Sequence, residues 1–117
     1  MIMAAKKTKK VEDNKLPEYV RVLGKKIKVV RTDMKDGHFG EYQQHKYRIE
    51  IDKKSCYEEA RQTLFHECLH AALHISGLGV LLNPGGEDDN AQDLEEAVVI
   101  CLENAFGEYI DIDKLKA

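Results

Sequence analysis

The chain has 117 residues, of which 43% are hydrophobic, and 18 Lys and Arg against 21 Asp and Glu give a formal net charge of −3. That length suits one domain with a modest core, and no apolar run approaches the length needed to cross a bilayer, so a soluble protein is expected. The slightly acidic balance gives no reason to expect nucleic acid binding by the body of the chain, and the same reading expects no membrane partner.

Residues 1–15 carry Lys6, Lys7, Lys9, Lys10 and Lys15 and lack the apolar core of a signal peptide. They read as a flexible, solubilising tail ahead of a single domain over 16–117. Tyr19 to Leu23 and Lys26 to Arg31 are rich in β-branched residues and meet at Gly24-Lys25, a hairpin pattern. A turn around Asp36-Gly37 follows. Phe39 to Gln43 and Lys46 to Ile51 come next, the second alternating Tyr47, Ile49 and Ile51 against Arg48, Glu50 and Asp52. A period of two marks a half-buried strand.

The run Ala60 to Ile75 reads as a helix. Ser55-Cys56-Tyr57-Glu58 fits a capping box at its start, and Gly77 stands where a helix C-terminal glycine is expected. Leu64, Cys68, Ala71, Ala72 and Ile75 make an apolar stripe. Away from it, within about 100° on the wheel, lie His66, Glu67, His70 and His74. His66-Glu67-Cys68-Leu69-His70 is an HExxH motif. Histidines four apart sit one turn apart on one face, so both imidazoles can reach one ion, with Glu67 beside it to take a proton from water. His74 continues the series but lies about 12 Å along the axis from His66, too far to share an ion with bonds near 2 Å. It is a candidate for lining the cleft or for contacting an oxyanion.

Leu78 to Asp89 reads as a loop with an acidic Gly-Gly-Glu-Asp-Asp stretch, ending in a helix cap at Asp89 or Asn90. The second helix is expected over Asn90 to Tyr109. Its apolar residues, from Leu94 to Phe106, cover a broad stripe that takes in Glu95. A carboxylate facing a core needs a partner, and a metal held by the first helix is one. Glu95 is therefore the expected third ligand, with Glu96, on the side of Glu103, as the alternative. Tyr109 is a second candidate oxyanion contact. Cys56, Cys68 and Cys101 cannot all pair, and Cys68 and Cys101 fall on expected inward faces. Free thiols in a reducing cytoplasm are expected. Strands followed by two packed helices make an α+β domain, with a small antiparallel or mixed sheet.

Gln62-Thr63-Leu64-Phe65-His66-Glu67-Cys68-Leu69-His70-Ala71-Ala72, a Gly-containing loop, and Glu95-Glu96-Ala97-Val98-Val99 together resemble small gluzincin metallopeptidases. The similarity is greatest to compact phage- and prophage-encoded forms, the minigluzincins, related to ImmA/IrrE-type peptidases. It covers roughly residues 37 to 107, with Gly40-Glu41-Tyr42 and Tyr47 to Asp52 as the extended segment before the site helix. It implies a zincin-like fold and a Zn2+ site of two histidines, His66 and His70, plus a glutamate of the second helix. It also implies Glu67 as general base, a protein or peptide substrate, and a cytoplasmic location, that of the host if phage-encoded. In such enzymes an edge strand beside the site helix holds an extended peptide, a role open to Lys46 to Asp52 or to Phe39 to Gln43. The expected function is hydrolysis of a peptide bond by a metal-activated water. The alternative is a catalytically silent zinc-binding regulatory or interaction module of the same fold. Imidazole with carboxylate also accepts iron, nickel or manganese.

Overall fold

Two residues with positive φ, Leu23 at 48° and Gly24 at 83°, turn the chain between its first strands. Positive φ at both central positions matches the right-handed twist of the strands they join, which sets the hairpin register. The computed structural model describes residues 15–82 and 89–117, with side chains in the second segment from Leu94 onward. The expected tail, apart from Lys15, and the acidic loop sequence, apart from the backbone of Asp89, lie outside the described residues, as do the side chains of the expected cap.

The strands are β1 (Tyr19–Val22), β2 (Lys25–Thr32), β3 (Gly40–Gln43) and β4 (Arg48–Asp52), in the spatial order β1-β2-β4-β3. β1 and β3 run antiparallel to their neighbours, while β2 and β4 are parallel, with Val29 opposite Ile49 and Arg31 opposite Ile51. The sheet is therefore mixed. β4 enters between β2 and β3 because it is the strand fit for a central place: Ile49 and Ile51 are fully buried. β3, with Gly40, Glu41 and Gln43, is left at the edge.

Helix α1 (Tyr57–Ser76) crosses one face of this sheet. Ala60, Leu64, Cys68 and Ala71 pack with Val20, Ile27, Ile49, Ile51 and Ile112 in one core, and Ala72 and Ile75 pack against it half-buried. Each fully buried Leu or Ile contributes about 1.5–3 kcal/mol to holding the helix there. Gly77, at φ 83°, ends α1 in the left-handed conformation as expected. The start differs from expectation. Cys56 is the N-cap, with no side-chain bond to the helix amides. Ser55 does not form the expected box; its carbonyl instead accepts from Arg31, at 2.7 Å, and its amide closes a turn onto Asp52.

Part of the expected loop is a short helix, α2 (Leu78–Leu82), and α3 (Asp89–Phe106) follows. α3 stops three residues before the expected Tyr109, where Gly107 bonds back to Glu103. Beyond it a 3-10 turn (Ile112–Leu115) buries Ile112, and Lys116 bridges to Val20 on the free edge of β1. Neither α2 nor this turn carries the periodicity that sequence reading relies on. No described helix is long and apolar enough to cross a membrane.

Candidate metal centre

α1 turns its two faces as expected, apolar stripe to the sheet and His66, Glu67, His70 and His74 to a cleft of about 1010 Å³. β3 forms one wall, α1 the floor, and α2 and α3 the other wall, through Gly79 of α2 and Glu95, Glu96 and Glu103 of α3.

Glu96 reaches both motif histidines at once. Its Oε1 lies 2.8 Å from His66 Nε2 and its Oε2 2.9 Å from His70 Nε2. His66, His70 and Glu96 are the group among the described residues that could hold a metal ion, with ligand atoms all within 4.8 Å of one another. The expected third ligand, Glu95, stands elsewhere: its Oε2 is 2.8 Å from His70 Nδ1, the far side of that ring. Gly79 leaves room for it, since a Cβ there would come within 3.3 Å of Glu95 Oε1. Glu103 Oε2 lies 3.2 Å from His66 Nδ1. Each ring thus has Glu96 at Nε2 and its own carboxylate at Nδ1.

That Glu96, the alternative, and not Glu95 reaches both rings has a physical cause. A stripe as broad as that of α3 does not locate the packing face, and of its apolar residues among those described Val99 alone is buried, while Leu94, Ile100 and Phe106 are exposed. The helix faces α1 with Glu96, Val99 and Glu103, so the side of Glu103, away from the centre of the expected stripe, meets both histidines. Cys101, expected inward, is exposed for the same reason. Glu103 escaped notice as a site residue. The signal was present, since Glu96 and Glu103 are seven apart and so share one helix face.

These contacts test whether a metal fits. A neutral imidazole has one N–H, so it can satisfy one carboxylate and must turn a lone pair on the other. With His66, His70 and Glu96 holding a divalent cation, that conflict would be removed and both Nδ1–H groups could donate outward, His66 to Glu103 and His70 to Glu95. Metal-binding histidines characteristically have such carboxylates behind them. Tetrahedral ligands on bonds of about 2.0–2.1 Å stand about 3.3 Å apart; the two Glu96–imidazole separations, 2.8 and 2.9 Å, are about half an ångström shorter, and all three ligand atoms lie within 4.8 Å of one another. The donor set fits.

Glu67 is buried, at 8% exposure, next to this group. Burial pushes its carboxyl above the usual carboxylate range; His70 and His66, with the backbone amide of Tyr42, pull it down, and Glu96 pushes it up again. Tyr42 also donates its hydroxyl, at 3.0 Å, to Nδ1 of His74 when that nitrogen carries no proton. The proton of a neutral His74 then sits on Nε2. Both residues line the cleft, as expected of His74. Tyr42 is a site residue that sequence reading placed only in a strand. Tyr109 is 77% exposed and is not among the residues lining the cleft. Cys68, although inside the motif, points into the core, where burial pushes its thiol up to about 12. All three cysteines are free.

No family model matches the chain, and no curated protein or solved structure matches it significantly.

Proposed function

We propose that the protein is a zinc-dependent peptidase of gluzincin type, with His66, His70 and Glu96 as the ligands and Glu67 as general base. The observation that carries this reading is the double engagement of both motif rings, Glu96 at each Nε2 and a separate carboxylate at each Nδ1. Such a set is arranged for a cation, and Glu67 beside it adds a proton acceptor that a purely structural site does not need. When bound, zinc would supply Lewis-acid polarisation of a carbonyl and acidify a water.

The chain's own groups would do the rest. Glu67, already short of solvent and held by the Tyr42 amide, would accept the proton of the attacking water and hand it to the departing amine. His74, with Nδ1 bonded to Tyr42, has an Nε2–H to offer a developing oxyanion. β3 would hold the substrate backbone. It has β4 on one side alone, and Phe39 accepts from Asp52. The alternation of an antiparallel pair therefore turns the peptide groups of Gly40 and the carbonyl of Tyr42 away from β4, while the outward Tyr42 amide is taken by Glu67. An extended peptide can add there as a further strand.

The test is Glu67→Gln in zinc-loaded protein, assayed on an unfolded protein such as casein. Expected are one retained zinc per chain and a loss of cleavage by several orders of magnitude. Equal cleavage by wild type and variant would overturn the mechanism. Tight zinc with no cleavage by the wild type would favour the silent module.

A further inference from the structure

A concentration of positive charge lies at one end of the sheet, and it adjoins the cleft. β2 and β4 are parallel, with Lys28 opposite Arg48, so both begin at the same end, where the β1–β2 turn and the 44–47 turn also lie. Lys25, Lys26, Lys28 and Lys46 stand there, all exposed, with Lys26 and Lys28 on the sheet face away from α1 because they alternate with the buried Ile27. Among the described residues no carboxylate pairs with any of the four, whereas Arg48 is committed to Glu50 at 2.9 Å.

Distances connect this end to the site. The Lys25 ammonium sits 5.3 Å from the centre of the Tyr47 ring, and that ring is 6.2 Å from the ring of His74, which lines the cleft. Gln44, the last cleft residue on this side, is two residues before Lys46. The opposite end has the other sign, since Glu41 and Glu103 line it. The cleft therefore runs from an acidic end, past the proposed metal, to a basic one, in a chain whose overall charge is negative.

We propose that Lys25 and Lys46 form a subsite for acidic side chains of a bound peptide, so that this protein selects acidic segments. The inference rests on the peptidase reading and names its substrate class. At about 3.3 Å per residue, Lys46 lies at most about 13 Å along the chain from Tyr42, whose amide faces Glu67. The acidic residues then fall within about four positions of the scissile bond, since residues 44–47 turn back. A peptide antiparallel to β3 carries them on its N-terminal side. Electrostatic complementarity of this kind sets register and partner choice more than raw affinity.

The test uses the full chain, zinc-loaded, as Glu67→Gln to prevent turnover. Fluorescent ten-residue peptides differ in Glu-Glu or Lys-Lys placed three to four residues before a central apolar pair, and binding is read by anisotropy. The Glu-Glu peptide is expected to bind about tenfold tighter at low salt. The advantage should shrink as salt rises. It should vanish in Lys25→Glu/Lys46→Glu protein that still holds one zinc and melts as its parent does. Equal binding of both peptides would overturn the subsite. So would a preference that survives the double reversal, or equal affinity for a single-stranded DNA oligonucleotide of the same charge. Wild-type protein incubated with the Glu-Glu peptide separates the two ideas, because selective binding without cleavage would overturn the peptidase reading and leave the charge selection standing.

Discussion

Replacing Glu95 and Glu96 in turn by Gln separates a metal ligand from the group that supports one. Both changes remove one negative charge and almost no volume, so their difference reports position. Glu96 spans both Nε2 atoms, at 2.8 and 2.9 Å, where the ion would sit. Glu95 touches the Nδ1 side of His70 alone, at 2.8 Å. Loss of an outer carboxylate of that kind lowers metal affinity by about 10–100-fold, or about 1.4–2.7 kcal/mol. Glu96→Gln strips the site to two imidazoles and an amide, so its loss should exceed the upper figure. Competition against a chromogenic zinc chelator measures both, with the melting temperatures of the metal-free variants as a control for folding. Glu103→Gln belongs in the same series and should resemble Glu95→Gln, since it backs His66 at 3.2 Å. A larger loss for Glu95→Gln than for Glu96→Gln would refute the arrangement and return Glu95 to the ion.

Zinc at a thousandfold excess over its dissociation constant should add about 4 kcal/mol to stability, and a scan with and without chelator should show a rise of 10 °C or more, on the order expected for a domain of this size; coincident melting curves would mean no metal site. Gly40→Ala should destabilise by about 1–3 kcal/mol, because its Cβ would collide with Thr63 Cγ2. Thr63→Ser removes that methyl, so denaturation of the double variant should show recovery of much of the loss; additive losses would place the strain elsewhere. In native protein, iodoacetamide should label Cys56 and Cys101 and spare Cys68, which is 4% exposed, with all three reacting in denaturant. Rapid native labelling of Cys68, read by peptide mass, would contradict its place in the core.

Most of the elements were legible because each is written in local chemistry. The motif and the α1 stripe follow from the 3.6-residue period, and Leu64, Cys68 and Ala71 are buried as that period requires. Gly77 ends the helix because a left-handed residue is needed there, and glycine supplies it at little cost. Ile49 and Ile51 mark β4 through the two-residue period. The first turn of α1 was less legible, because Arg31, 24 residues away, engages the Ser55 carbonyl.

The sequence by itself determined that His66 and His70 share a face with Glu67 between them, since one helical turn dictates it. Only the tertiary structure decided which glutamate meets them. Glu95 and Glu96 are adjacent and chemically identical, and about 100° of helix rotation separates them. That rotation is set by how α3 docks on α1, through Val99 and three carboxylates against two imidazoles. The same holds for β3, whose place at the edge depends on β4 taking the centre, and for Tyr42, brought to His74 from 32 residues away. Local periodicity specifies which face of an element a residue occupies; packing between distant elements specifies what that face meets.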